Sequence, residues 1–146
     1  MRKRDRQDIL YIVMPAYNEE NNIEDVISEW YQILTYASVK SKLVVAAGGS
    51  TDGTGNKLSR LKRDYPQLET IETKYKEHGP KLVELYKYAI ENGADYIFQT
   101  DSDGQTNPGE FLDFWKNRNI SDILLGNRVR RKDGVARKII EPICPT

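Results

Sequence analysis

Tyr96-Ile97-Phe98-Gln99-Thr100-Asp101-Ser102-Asp103 is the stretch that decides the fold. A run of strand length stops abruptly at two carboxylates one residue apart. Open α/β sheets gather their ligands at the carboxyl ends of the strands. A hard cation such as Mg²⁺ or Mn²⁺ commonly takes one or two carboxylates together with substrate phosphate oxygens. In isolation the same pair is a polar turn after a strand, so its setting matters.

Just upstream, Leu82, Leu85, Tyr86, Ala89 and Ile90 make one apolar helical stripe, opened by Pro80 and closed by Gly93. Proline is favoured at the first helical position and glycine just past the last. Further back, Ile9 to Met14 is a continuous β-prone run, as in a strand buried on both faces, and it ends at Pro15. Ile23, Val26, Ile27, Trp30 and Leu34 recur on one helical face. Leu43 to Ala47 is a second strand, stopped by Gly48-Gly49. Leu58 and Leu61 mark a short basic helix ending near Tyr65-Pro66, and Leu68 to Thr73 is a third strand. Downstream, Pro108 opens a helix through Phe111, Leu112, Phe114 and Trp115, and Ile123-Leu124-Leu125 is a last short strand. The alternation predicts an α/β fold, a three-layer α/β/α arrangement. All five strands are expected in one mainly parallel sheet with helices on both faces. The basic segment Arg128 to Lys138 reads as solvated, which leaves the sheet looking truncated at its C-terminus.

The chain of 146 residues is one domain's worth, and its 38% hydrophobic and 30% charged content is that of an ordinary globular protein. A formal net charge of zero offers no global attraction for nucleic acid or an anionic membrane. The single cysteine, Cys144, excludes an internal disulfide framework and fits a reducing compartment, so a cytoplasmic location is expected. The apolar run Ile9 to Met14 is too short for a signal peptide or a membrane span. Membrane association is therefore expected only through other segments or partners.

Two loops carry further chemistry. Pro15-Ala16-Tyr17-Asn18-Glu19-Glu20 follows the first strand, where Tyr17 suits a flat base and Glu19 a ribose hydroxyl. Acidic residues there also suit a plain helix start. Gly48-Gly49-Ser50-Thr51-Asp52-Gly53-Thr54-Gly55 follows the second strand but matches neither the phosphate-loop nor the dinucleotide fingerprint. It reads as a glycine-rich turn with Asp52 or Thr54 capping the next helix. His78, the only histidine, reads as a loop residue rather than a catalyst. Arg128, at a strand end, suits a diphosphate.

Four segments together resemble the family 2 glycosyltransferases of the GT-A fold, particularly the dolichyl-phosphate mannosyltransferase and polyprenyl-phosphate glycosyltransferase branch. They are Val13 to Glu20, Gly49 to Thr54, Tyr96 to Gln105 and Gly126-Asn127-Arg128, in family order. The resemblance implies a nucleotide-diphospho-sugar transferase, metal-dependent and inverting, with a UDP- or GDP-linked donor. The acceptor would be a polyprenyl phosphate or other lipid phosphate, or a saccharide such as a cell-surface glycan, reached at the cytoplasmic face of the membrane. Pro15, Tyr17, Glu19, Gly48, Asp101, Ser102, Asp103 and Arg128 would line the nucleotide-sugar site. Asp101, Asp103 and Gln105 would hold Mg²⁺ or Mn²⁺.

Two departures from the family qualify this. Family members usually carry aspartate before the Gly-Ser of the second segment, in contact with the base, where Ala47 and Gly48 stand here. Loss of such a contact weakens binding by about 1–3 kcal/mol, and an aspartate at Gly48 is expected to restore it. Second, most of the family's acceptor half, with the general base, is expected beyond the end of this single domain of residues 1–146. The competing readings are a non-catalytic or degenerate nucleotide-sugar-binding protein, and a flavodoxin-like phosphotransfer or receiver domain. The receiver needs an acidic pair after its first strand, where Pro15-Ala16 stands.

Overall fold

A computed structural model describes residues 8–130 and 136–143, with side chains as far as Gly126. The chain forms two compact units that divide between Thr106 and Asn107.

In the first unit everything is arranged about β1 (Leu10–Pro15), which is buried along its whole length. It pairs in parallel with β2 (Lys42–Ala46) on one edge and β4 (Tyr96–Gln99) on the other. β3 (Leu68–Ile71) adds in parallel to β2, giving the order β3-β2-β1-β4. The chain thus grows outward from β1 to β3 and then returns to the opposite side of β1. The expected strands at Ile9, Leu43, Leu68 and Tyr96 are all present, each with its ends within about two residues of the reading.

Helices cover both faces. Tyr11 and Val13, with Val44 and Ala46 of β2, pack against Leu85 and Ala89 of α3 (His78–Glu91). On the other face Trp30 of α1 (Ile23–Tyr31) stacks on Phe98 with ring centroids 5.5 Å apart. Phe98 is the register partner of Ile12, so α1 lies over the even-numbered side chains of β1. Leu34 stays buried on a 3-10 turn, Gln32–Tyr36, that continues the face of α1.

α3 departs from its reading at the start. It begins at His78, so His78 is helical and Pro80 is the third residue rather than the first. The first amides of a helix have no intrahelical acceptor, so proline costs no hydrogen bond there. The buried stripe is also rotated: Lys81, Leu85 and Ala89 face inward at i, i+4 and i+8, while Ile90 is 68% exposed. The end is as expected. Gly93 (φ +83°) donates to the Ile90 carbonyl at 3.2 Å and Ala94 to the Ala89 carbonyl at 3.0 Å. This is a Schellman closure, which needs a left-handed residue at Gly93.

The second unit holds α4 (Phe111–Lys116), entered through a 3-10 turn at Pro108–Glu110 that Asn107 caps by accepting from the Gly109 amide at 2.9 Å. Phe111 stacks on Trp115, and the Arg118 guanidinium lies 4.1 Å from the Trp115 ring centroid. β5 (Ile123–Arg130) and β6 (Ala136–Ile143) form a separate antiparallel pair. This corrects the reading of one five-stranded sheet: Ile123 pairs with Ile143, not with the parallel strands. Residues 128–130 and 136–138, at the two ends of the basic segment, belong to this pair, and whether their side chains are solvated lies outside the described residues. The Asp133-Gly134 pair is a hairpin signature, and Val129, Ile139 and Ile140 favour strands despite the charges between them. Among the described residues no helix is long and apolar enough to cross a membrane.

The rotated stripe of α3 makes a direct contrast. Leu85→Ala should lower unfolding stability by about 2–5 kcal/mol, as for other buried leucines. Ile90→Ala should change it by no more than about 0.5 kcal/mol. Equal losses in chemical denaturation would mean that α3 presents a different face to the sheet.

Candidate functional site

The strand order fixes where a site can form. The chain leaves β1 toward β2 on one side and reaches β4 on the other, so a crevice opens beyond the carboxyl ends of β1 and β4. Two loops border it. On the β1 side the Ala16 amide still donates to the Ala46 carbonyl at 2.8 Å, and the chain leaves the sheet at Tyr17. On the β4 side the Thr100 amide donates to the Val13 carbonyl at 3.1 Å before Asp101. The cleft between them has a volume of about 310 Å³.

Pro15, Ala16, Tyr17 and Glu19 line it from the first loop, and Asp101, Ser102 and Asp103 from the second. Lys76, His78 and Lys81, from α3 and the segment before it, complete the lining. Three acidic and three basic side chains therefore share one cleft. Ser102 is buried, whereas Asp101 is half-exposed and its Oδ1 lies 4.0 Å from His78 Nε2. Asp103 Oδ1 accepts from the Gln105 amide at 3.0 Å, which folds the loop back on itself.

The first loop is held by the segment after β2. Asn18 adopts a left-handed conformation (φ +50°), and its Oδ1 accepts from the Thr51 amide at 2.7 Å. The Glu19 amide donates to Thr54 Oγ1 at 2.9 Å and the Glu20 amide to Asp52 Oδ2 at 3.2 Å. Glu20 returns the contact by accepting from the Gly53 amide at 2.9 Å. Asp52 also accepts from the amide and hydroxyl of Thr54 near the start of α2 (Thr54–Leu61). The Ser-Thr-Asp-Gly-Thr segment is thus a brace for the acidic loop, and none of it lines the cleft. Partial desolvation pushes the Asp52 carboxyl up. Hydrogen bonds from Thr54 and Glu20 outweigh it and hold the group below its ordinary value.

Lys81 is the least expected lining residue. It is 1% exposed, and its ammonium donates to the Ala16 carbonyl at 2.6 Å. The same nitrogen lies 5.4 Å from the centroid of the Tyr17 ring. Burial lowers its pKa from the ordinary 10.5, with the charge of Glu77 opposing the shift.

Of the residues singled out from the sequence, Pro15, Tyr17, Glu19, Asp101, Ser102 and Asp103 come together in the cleft. Gly48 and Gln105 do not line it, and the side chain of Arg128 lies outside the described residues. Gly48 has a different job. A Cβ there would sit 1.9 Å from the Thr73 carbonyl oxygen, so glycine allows two backbones to touch. His78 was read as a loop residue and instead faces Asp101 from the first turn of α3. Lys81 was missed, though its spacing from Leu85 and Ala89 places it on the buried stripe. Among the described residues no three His, Cys, Asp or Glu side chains converge as a metal site. Two carboxylates fit a cation that takes its other ligands from substrate phosphate and water.

A family model described as Glycosyl transferase family 2 matches residues 11–140, and the chain belongs to that family. It is 30% identical over 102 residues to the succinoglycan biosynthesis protein ExoA of Rhizobium meliloti, covering 70% of this chain and 30% of that protein. It is 22% identical over 117 residues to the undecaprenyl-phosphate mannosyltransferase of Micrococcus luteus, covering 80% of this chain and 46% of that protein. The chain therefore spans less than half the length of either relative. Among solved structures, residues 1–349 of S. aureus TarS in complex with UDP superpose with a TM-score of 0.62 at 18% identity. That match covers 78% of this chain and 33% of TarS, and the shared fold is GT-A.

Two outcomes follow from this geometry. Gly48→Asp should destabilise the protein by about 1–3 kcal/mol, the usual cost of overpacking, and should leave nucleotide binding no tighter in calorimetry. Normal stability with tighter binding would show that the Thr73 backbone yields. The depressed Asp52 carboxyl stabilises the fold above the unfolded value of about 3.9 and loses that effect as pH falls through its folded value. In an acid titration of stability, Asp52→Ala should lack this component; an unchanged acid limb would mean the brace does not depend on the charge.

Proposed function

We propose that this chain binds a nucleoside-diphosphate sugar, UDP- or GDP-linked, and serves transfer of its sugar to an acceptor. The observation that carries the reading is the mixed charge of one cleft at the β1–β4 crevice. A metal–diphosphate complex needs carboxylates for the cation and donors for the phosphates, and Asp101 and Asp103 offer the first while Lys76 and His78 offer the second. Tyr17 and Pro15 border the base, and Glu19 meets the ribose. Ser102 lines the diphosphate side.

Asp101 and Asp103, with Gln105 as a further partner, would hold Mg²⁺ or Mn²⁺, which when bound neutralises charge on the departing diphosphate. The remaining chemistry is a single displacement with inversion. The acceptor oxygen bonds to the anomeric carbon as the bond from that carbon to the diphosphate oxygen breaks, and the nucleoside diphosphate leaves with the electron pair. Lys76 and His78 stabilise that leaving charge from the wall facing Asp101, with Arg128 a further candidate for the same task.

The acceptor is a polyprenyl phosphate or a saccharide, classes that the names of the two relatives support. A saccharide hydroxyl needs a base within hydrogen-bond reach, and no residue of this chain is assigned that role. A phosphate acceptor carries an anionic oxygen at neutral pH, since its second pKa is about 6. On this reading the reaction takes place in the cytoplasm, at the membrane face when the acceptor is lipid-borne.

Calorimetry with UDP and with GDP, each with and without MnCl₂, tests the site. Binding should depend on Mn²⁺, and Asp103→Asn should weaken it by about tenfold, the usual scale for losing a charged contact. Unchanged binding in the variant would move the metal elsewhere.

A further inference from the structure

Lys81 is an unusual group to find at the base of this cleft. It sits on the buried stripe of α3, four residues before Leu85, where an apolar side chain would extend the core without desolvating a charge. Among the described residues no carboxylate forms an ion pair with it. Its ammonium instead meets the loop after β1: the Ala16 carbonyl at 2.6 Å and the Tyr17 ring at 5.4 Å from the centroid. Tyr17 itself keeps 44% of its surface exposed. One face of the ring is therefore over a buried cation and the rest is open.

Resting on the donor reading above, we propose that Lys81 is a positioning residue that holds Tyr17 as a platform for the nucleobase. The ammonium fixes the backbone on one side of the ring through Ala16 and attracts one ring face by a cation–π contact. The base then stacks on the open face. The reach of α3 explains why a lysine is used: its long stem crosses the packed layer, and its head arrives where the strand has ended, at the carbonyl of the buried Ala16. With Ala47 and Gly48 supplying no acidic side chain after β2, stacking becomes the larger share of base recognition. Stacking does not distinguish base edges, because every base presents a π face.

The test uses Lys81→Met, which keeps the stem, and Lys81→Arg, which keeps the charge and a donor. Dissociation constants for UDP and GDP are measured by calorimetry with MnCl₂, alongside pyrophosphate with MnCl₂ and thermal unfolding of each variant. Lys81→Met should weaken UDP and GDP alike by about fivefold, within the range of cation–π contacts, leave pyrophosphate unchanged, and be largely rescued by arginine. In a Tyr17→Leu background, Lys81→Met should cost little more. An equal loss for pyrophosphate, a loss confined to one base, or additive effects with Tyr17→Leu would overturn the positioning role. If Lys81→Met does not fold, Lys81→Arg with Tyr17→Leu in the same cycle decides it: a change in UDP affinity that persists without the ring excludes action through Tyr17. Failure of the unaltered chain to bind either nucleotide would overturn the donor reading itself; normal binding with Lys81→Met unaltered would overturn only this inference.

Discussion

Two-sided pairing of β1 is the constraint on which the rest of the first unit depends. With β2 on one edge and β4 on the other, every side chain from Leu10 to Pro15 is buried, and neither edge is free for a ligand. Only the end of the strand can carry chemistry. The chain departs from β1 toward β2 and comes back at β4, so the loops at the two strand ends border one cleft. The acidic residues of both loops are thus brought to one crevice without any direct bond between them.

Such a crevice would be useless if its walls moved independently. The loop after β1 has a strained residue at Asn18 and three consecutive amides, of Asn18, Glu19 and Glu20, that need acceptors. Ser50, Thr54 and Asp52 supply them. From the other side Lys81 takes the Ala16 carbonyl. A short loop is thereby held by polar contacts from two separate elements, one on each side of the sheet's end. Side chains read from the sequence only as part of a turn, Ser50, Asp52 and Thr54, are what keeps the cleft-lining loop still.

The legible part of the sequence was the part governed by continuous burial. Ile9 to Met14 is a strand because an apolar run of that length leaves no polar face, and Tyr96 to Phe98 is a β-prone run that pairs with it although only partly buried. Their ends then bring Pro15, Tyr17, Asp101 and Asp103 together once the strand order is known. What escaped reading has physical reasons. Lys81 is charged, and pattern reading assigns charges to solvent unless a partner is visible, yet its partner is a carbonyl 65 positions away. β6 was hidden because Arg137-Lys138, Glu141 and Pro142 interrupt its aliphatic residues and leave no apolar run or strict alternation to read. The exposure of Ile90 was missed because stripes at i+3 and i+4 differ by a rotation too small for composition to resolve.

The contact between Gly48 and the Thr73 carbonyl has a consequence for how this site can change. The obstacle is a backbone oxygen, so trimming Thr73 to a smaller side chain would not clear it. Any lineage or design that seeks an acidic group at this point without loss of stability has to shift the connection between β3 and α3 by insertion, deletion or a new turn. The side chains open to the loop after β2 are thereby tied to the path of a connection that lies elsewhere in the sequence.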